Sequence, residues 1–260
     1  MGNNPFLGAR YFLHGLRLIN RPGVRRFVAI PLLINVLLFT TLIGYGWMWL
    51  ERLRAVIEQW LPTWLGWLSW LLIPLFIVTA VLALVYGFSL VANLLAAPFN
   101  TLLAQAVERT LTDKPIPSAN TKGLIREILV SIASEFRKLG YFLGRALPLL
   151  LLFLIPGLNL AAPLLWLLFS AWVLALEYAD YPMANHGISF TLQRKLLARK
   201  RWLGMGFGAT VMLAMLIPVL NFLAIPTAVA GATALWVEQL RDEETSSAWP
   251  AGPNHPYRSK

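Results

Sequence analysis

The apolar pattern of the chain is set by four stretches without a single charge: Phe27 to Leu50, Gln59 to Val107, Ala146 to Leu176 and Trp202 to Val237. A helix needs roughly 20 residues at 1.5 Å per residue to cross the hydrocarbon of a bilayer. Phe27 to Leu50 meets that length, so a first transmembrane helix is predicted over about 27–50. The second stretch is too long for any hydrocarbon core taken as one helix. The tryptophans Trp60, Trp64, Trp67 and Trp70 at its start read as an interfacial belt, which places the second crossing at about 70–97.

Between the second and third stretches, Leu124, Ile125, Ile128, Leu129, Ile132, Phe136, Leu139 and Leu143 recur at helical spacing among basic residues. This predicts an amphipathic cytoplasmic or interfacial helix. The third stretch is too short for two crossings and a turn, and Pro156-Gly157 interrupts it near the middle. Basic segments flank it on both sides and favour the same compartment, so a re-entrant hairpin over about 146–176 is the economical reading. A second such hairpin is predicted over about 202–237, because Leu154-Ile-Pro-Gly-Leu-Asn159 is matched by Leu216-Ile-Pro-Val-Leu-Asn221, each followed by a further proline, Pro163 or Pro226. Paired broken apolar segments of this kind point to a transport site. The competing reading is two kinked ordinary spans with matching turn chemistry.

The fold class expected is therefore an all-α integral membrane protein, with two long transmembrane helices, two re-entrant hairpins and the amphipathic helix. Residues 1–242 form one membrane domain, and 243–260, with Ser246, Ser247, Pro250, Gly252 and Pro253, a flexible tail.

Composition agrees: 58% of the 260 residues are hydrophobic and 13% charged, with a net charge of +10. In a soluble protein that charge would suggest nucleic acid. Here no basic helix carries base-reading residues, and topology and anionic lipid account for the arginines. Arg10, Arg17, Arg21, Arg25 and Arg26 precede the first span, which places the N-terminus in the cytoplasm. The N-terminal region does not read as a cleaved signal, because its apolar run starts late and is long.

There are no cysteines, and the three histidines are scattered, so neither a metal site nor a cofactor is expected. No nucleophile triad, carboxylate pair or P-loop appears, and an enzyme is not expected.

The residues that carry candidate chemistry are Pro22, Gly23, Val24, Arg25 and Arg26. Proline suits a first helical turn, and opening-turn N–H groups together with two guanidinium forks make a place for an anion. Two cations at the positive end of a helix are otherwise misplaced, which argues for an anionic ligand between them. The plainer reading is a topology determinant or lipid anchor. Asn35 in the first span, Asn93 and Asn100 near the inner boundary of the second, and Glu108 and Arg109 beyond are candidate pathway residues; helix bonding, capping and a solvated pair are their structural alternatives. Glu177 and Asp180 are expected to pair with arginines, and His186 to be a satisfied connector residue.

Three blocks carry a family resemblance: Gly8 to Asn35 ("GARYFLHGLRLINRPGVRRFVAIPLLIN"), Asn93 to Arg109 ("NLLAAPFNTLLAQAVER") and Tyr178 to Phe190 ("YADYPMANHGISF"). With them the chain resembles the CysZ-type sulfate permeases of bacterial inner membranes over nearly all its length. The resemblance implies uptake of sulfate for assimilation into cysteine, without nucleotide hydrolysis, by a multi-pass inner-membrane protein that assembles into homo-oligomers, in which protomers can be inverted. It implies a sulfate site at Gly23, Val24, Arg25 and Arg26, with Val24 replacing the usual leucine and supplying its backbone N–H. Sulfate and membrane lipids are thus the expected partners, with no nucleic acid. A different class of function, a membrane-remodelling scaffold whose shallow hairpins wedge one leaflet, predicts no dependence on anions.

Overall fold

The computed structural model describes residues 3–60, 66–112 and 124–241. Among these, all regular structure is helical: α1 (Pro5–Leu18), α2 (Arg25–Trp60), α3 (Gly66–Thr112), α4 (Leu124–Leu152), a 3₁₀ turn (Leu158–Leu160), α5 (Ala162–Asn185), α6 (Phe190–Arg199), α7 (Arg201–Leu216), α8 (Pro218–Leu235) and a π-helical segment (Trp236–Leu240). Among the described residues, three stretches are long and apolar enough to cross a membrane: Arg25–Trp49, Ala162–Asn185 and Leu220–Leu240. The second crossing expected over 70–97 falls within α3, but most of its side chains lie outside the described residues, as do those of Trp60, Trp64 and Trp67 and the tail.

The chain divides into two compact units, Met1–Arg25 with Asn100–Lys260, and Arg26–Phe99. In the first, α1 packs on α7 and α8, and α5 packs on the same two helices. Small residues make this approach possible, as they do wherever helix backbones meet closely in membranes. A Cβ on Gly8 would strike the Leu203 carbonyl of α7, one on Gly206 would strike Pro5, and one on Gly15 would strike Thr227 of α8. Gly208 meets the Ala171 carbonyl of α5 in the same way. Around these contacts Leu18, Leu203, Phe207, Met183, Leu235 and Trp236 are fully buried. In the second unit, Leu37, Phe39, Trp47 and Trp49 of α2 and Trp70 and Tyr86 of α3 are exposed, the outward-facing apolar surface that a bilayer would cover.

Three expectations change. First, the amphipathic helix and the first hairpin arm are one helix, α4, because nothing between Leu143 and Ala146 breaks the backbone; Pro148 is accommodated within it. Of its apolar stripe, Phe136, Leu139 and Leu143 are exposed, while Lys138 is buried. Second, α5 runs on to Asn185 rather than ending near 176, with its Asp180 taken up by Lys138 of α4. Third, the two matched motifs fold differently. At Pro156-Gly157 the glycine takes φ 88°, a left-handed conformation that opens a wide tip ending in the 3₁₀ turn, and Pro163 lies in the opening turn of α5. At Ile217 the chain is extended for one residue, as a residue before proline prefers, and Pro218 starts α8 at once; Pro226 lies inside that helix.

Candidate functional site

Helix α1 ends at Leu18, where the Ile19 N–H donates to the Gly15 carbonyl (3.0 Å). A tight turn follows: Arg21 N–H donates to the Leu18 carbonyl, and Gly23 takes φ 88°, the same value as the chain's other Pro-Gly step. The N–H groups of Val24 and Arg25 both donate to the Arg21 carbonyl, at 3.1 and 3.2 Å. The Val24 amide is therefore already engaged, contrary to the expectation that it serves an anion. Its side chain instead is completely buried and pins the turn. An aliphatic side chain is what this position requires, so valine can stand for leucine.

Pro22, Gly23, Arg25 and Arg26 are exposed around that anchor. Arg26 lies 4.8 Å over the ring of Phe27, a cation–π contact that orients its guanidinium. Among the described residues, neither Arg25 nor Arg26 has a carboxylate partner. Two permanently charged donors thus stand at the start of α2 beside N–H groups that a helix cannot satisfy internally.

The candidate pathway residues separate. Asn35 is half-buried on α2. Asn93 lies on α3 with its side chain outside the described residues. Asn100 is buried, and its Nδ2 donates to the Tyr181 hydroxyl at 3.4 Å. One and two turns on, Gln105 donates to Asn185 Oδ1 (3.3 Å), Asn185 returns a bond to the Thr101 carbonyl (3.3 Å), and Glu108 meets His186. The end of α3 is thereby zipped to the end of α5 by polar side chains.

Glu108, only 2% exposed, is the centre of that seam. His186 Nε2 lies 2.9 Å from both its carboxylate oxygens, and Arg241 Nη1 lies 3.5 Å from Oε1. The indole of Trp236 packs against both partners, 4.5 Å from the His186 ring centroid and 5.5 Å from the Arg241 guanidinium. Arg109, the sequence neighbour of Glu108, is exposed and takes no part. His186 is a satisfied group, as expected.

Asp180 pairs with Lys138 rather than with an arginine, and Lys138 also contacts Glu135 at 2.7 Å. Burial opposes the charge on Lys138, but the Asp180 and Glu135 carboxylates outweigh it and hold the ammonium above its ordinary pKa. Burial, then the bond to Glu238, pushes the Tyr11 hydroxyl up to about 12. Lys138 and Arg241 escaped the sequence reading because each meets its partner across more than forty positions of chain. The only signal was a lysine set among apolar positions in the helical stripe. Among the described residues no cluster of acidic or histidine side chains is arranged to hold a metal.

Residues 11–226 match the family described as "Sulfate transporter CysZ/Etoposide-induced protein 2.4". A protein of Pectobacterium atrosepticum named sulfate transporter CysZ is 44% identical to the chain over 239 residues, covering 90% of this chain and 86% of that protein.

Proposed function

The chain belongs to the sulfate transporter CysZ/Etoposide-induced protein 2.4 family, and from that premise we propose that it is a sulfate permease of the bacterial inner membrane. It takes up sulfate for assimilation into cysteine, acts as a transporter and not an enzyme, and recognises the oxyanion at Gly23, Arg25 and Arg26. The observation that supports the site is the pair of exposed guanidiniums beside a left-handed glycine at the opening of the first membrane helix, without a carboxylate partner among the described residues. A tetrahedral dianion matches such donors through charge-assisted hydrogen bonds. Arginine stays protonated throughout the physiological range, so recognition is not gated by its titration.

The arginine-rich approach to α2 supports a cytoplasmic N-terminus. The shallow-hairpin reading is supported at the second hairpin, where α7 has 16 residues and rises about 24 Å, short of a hydrocarbon core of about 30 Å. The exposed apolar faces of α2 and α4 suit lipid and further copies of the chain.

Calorimetric titration of sulfate into the purified protein, beside Arg25→Ala/Arg26→Ala, tests the site. The expected result is saturable binding that weakens at least about tenfold in the variant, the order set by losing charge-assisted bonds. Equal binding by both proteins would move the site elsewhere. A folded wild type that binds no sulfate would favour the leaflet-wedging scaffold.

A further inference from the structure

Helix α1 has two faces of opposite character. Gly8, Tyr11, Phe12, Gly15 and Leu18 are buried. Leu7, Arg10, His14 and Arg17 recur at spacings of three and four residues, so they form a second stripe along one face. Beside that stripe lies a groove of about 490 Å³, lined by Leu7, Arg10, Leu13, His14, Arg17 and Glu238. Every lining group belongs to one compact unit of the chain. None of them belongs to the oxyanion site proposed above.

Charge in the groove is divided. Arg10 and Arg17 are exposed, and neither has a carboxylate partner among the described residues. They lie two turns apart, a separation their long side chains can close over the shorter His14. In the same groove, Glu238 Oε2 accepts a hydrogen bond from the Tyr11 hydroxyl (2.9 Å), and Gln239 Nε2 donates to the same hydroxyl (3.0 Å). These bonds fix the carboxylate in place, and its Oε1 has no partner among the described residues. Leu13 adds an apolar edge that is 55% exposed.

A bare oxyanion would be drawn to the two arginines and repelled by Glu238. A ligand with a phosphate and a neighbouring ammonium satisfies both walls. We propose that this groove binds an aminophospholipid of the phosphatidylethanolamine type, its phosphate held by Arg10 and Arg17, its primary ammonium by Glu238, and its acyl chains lying over Leu7 and Leu13. The primary amine matters, because a carboxylate accepts hydrogen bonds from it and not from a quaternary ammonium.

The test is native mass spectrometry of the delipidated full chain in detergent, titrated with phosphatidylethanolamine, phosphatidylcholine or phosphatidylglycerol of matched acyl chains. The expected result is retention of phosphatidylethanolamine over both other lipids. Arg10→Gln/Arg17→Gln should weaken it about tenfold, the order expected for lost charge-assisted bonds. Glu238→Gln keeps an acceptor for Tyr11 and should abolish the preference over phosphatidylglycerol. Equal retention of phosphatidylethanolamine and phosphatidylcholine by the wild type overturns the proposal without reference to any variant. So does a preference that survives Glu238→Gln, or undiminished binding by folded Arg10→Gln/Arg17→Gln. Displacement of the lipid by millimolar sulfate would assign the groove to a free oxyanion and equally overturn it.

Discussion

The two helical hairpins, α4 with α5 and α7 with α8, are built on motifs that differ at one position, Gly157 against Val219. At the first, glycine adopts φ 88° and the chain spends a wide loop before α5 begins; Leu154 and Leu160 stand there 77% and 85% exposed. At the second, valine cannot take that conformation cheaply, and the helix restarts at Pro218 after a single extended residue. The bodies of the hairpins differ as much as their tips. Helix α8 is buried almost throughout from Ala224 to Trp236, whereas Leu164, Leu167 and Leu168 of α5 face outward. The lesson is that a repeated motif specifies where a helix breaks, while the residue after the proline and the packing around it decide how.

The contrast can be broken most severely where the hairpins touch. Gly208 of α7 meets the Ala171 carbonyl of α5, so Gly208→Leu forces those backbones apart and should leave no monodisperse folded protein on size-exclusion chromatography. A sample that elutes and melts like the wild type would refute the close packing. Next comes Glu108, which joins the ends of both hairpins through His186 and Arg241. Glu108→Ala leaves the half-buried Arg241 guanidinium and the His186 ring without their carboxylate and should cost about 3 kcal/mol in denaturant unfolding. At the first tip, Gly157→Val forces a β-branched residue into the left-handed region, at about 1–3 kcal/mol in the same assay. Leu160→Ala, on the exposed side of that tip, should stay within about 0.5 kcal/mol in detergent.

The helical architecture was legible because charge-free runs of spanning length are unambiguous. The Pro-Gly steps were legible because glycine after proline marks a turn. The join between the amphipathic segment and α4 was not, since Gly144 and Arg145 are compatible with either a break or a continuous helix. Nor was the burial of Lys138, because its partner Asp180 is brought to it by tertiary packing. At the site, the identity of Arg25 and Arg26 as exposed guanidiniums was readable from the basic cluster before α2. That Val24 anchors the turn by its side chain, with its amide turned to Arg21, was not, because hydrogen-bond direction in a four-residue turn depends on the backbone path.

Arg25 and Arg26 either serve sulfate or only fix topology. Uptake of labelled sulfate into proteoliposomes, with wild type and Arg25→Ala/Arg26→Ala reconstituted to equal density and orientation, separates the two. Saturable uptake by the wild type and a fall of at least about tenfold in the variant at low sulfate are expected. Uptake by the variant at the wild-type rate, or none by the wild type under an imposed sulfate gradient, would contradict a role for these arginines in sulfate uptake.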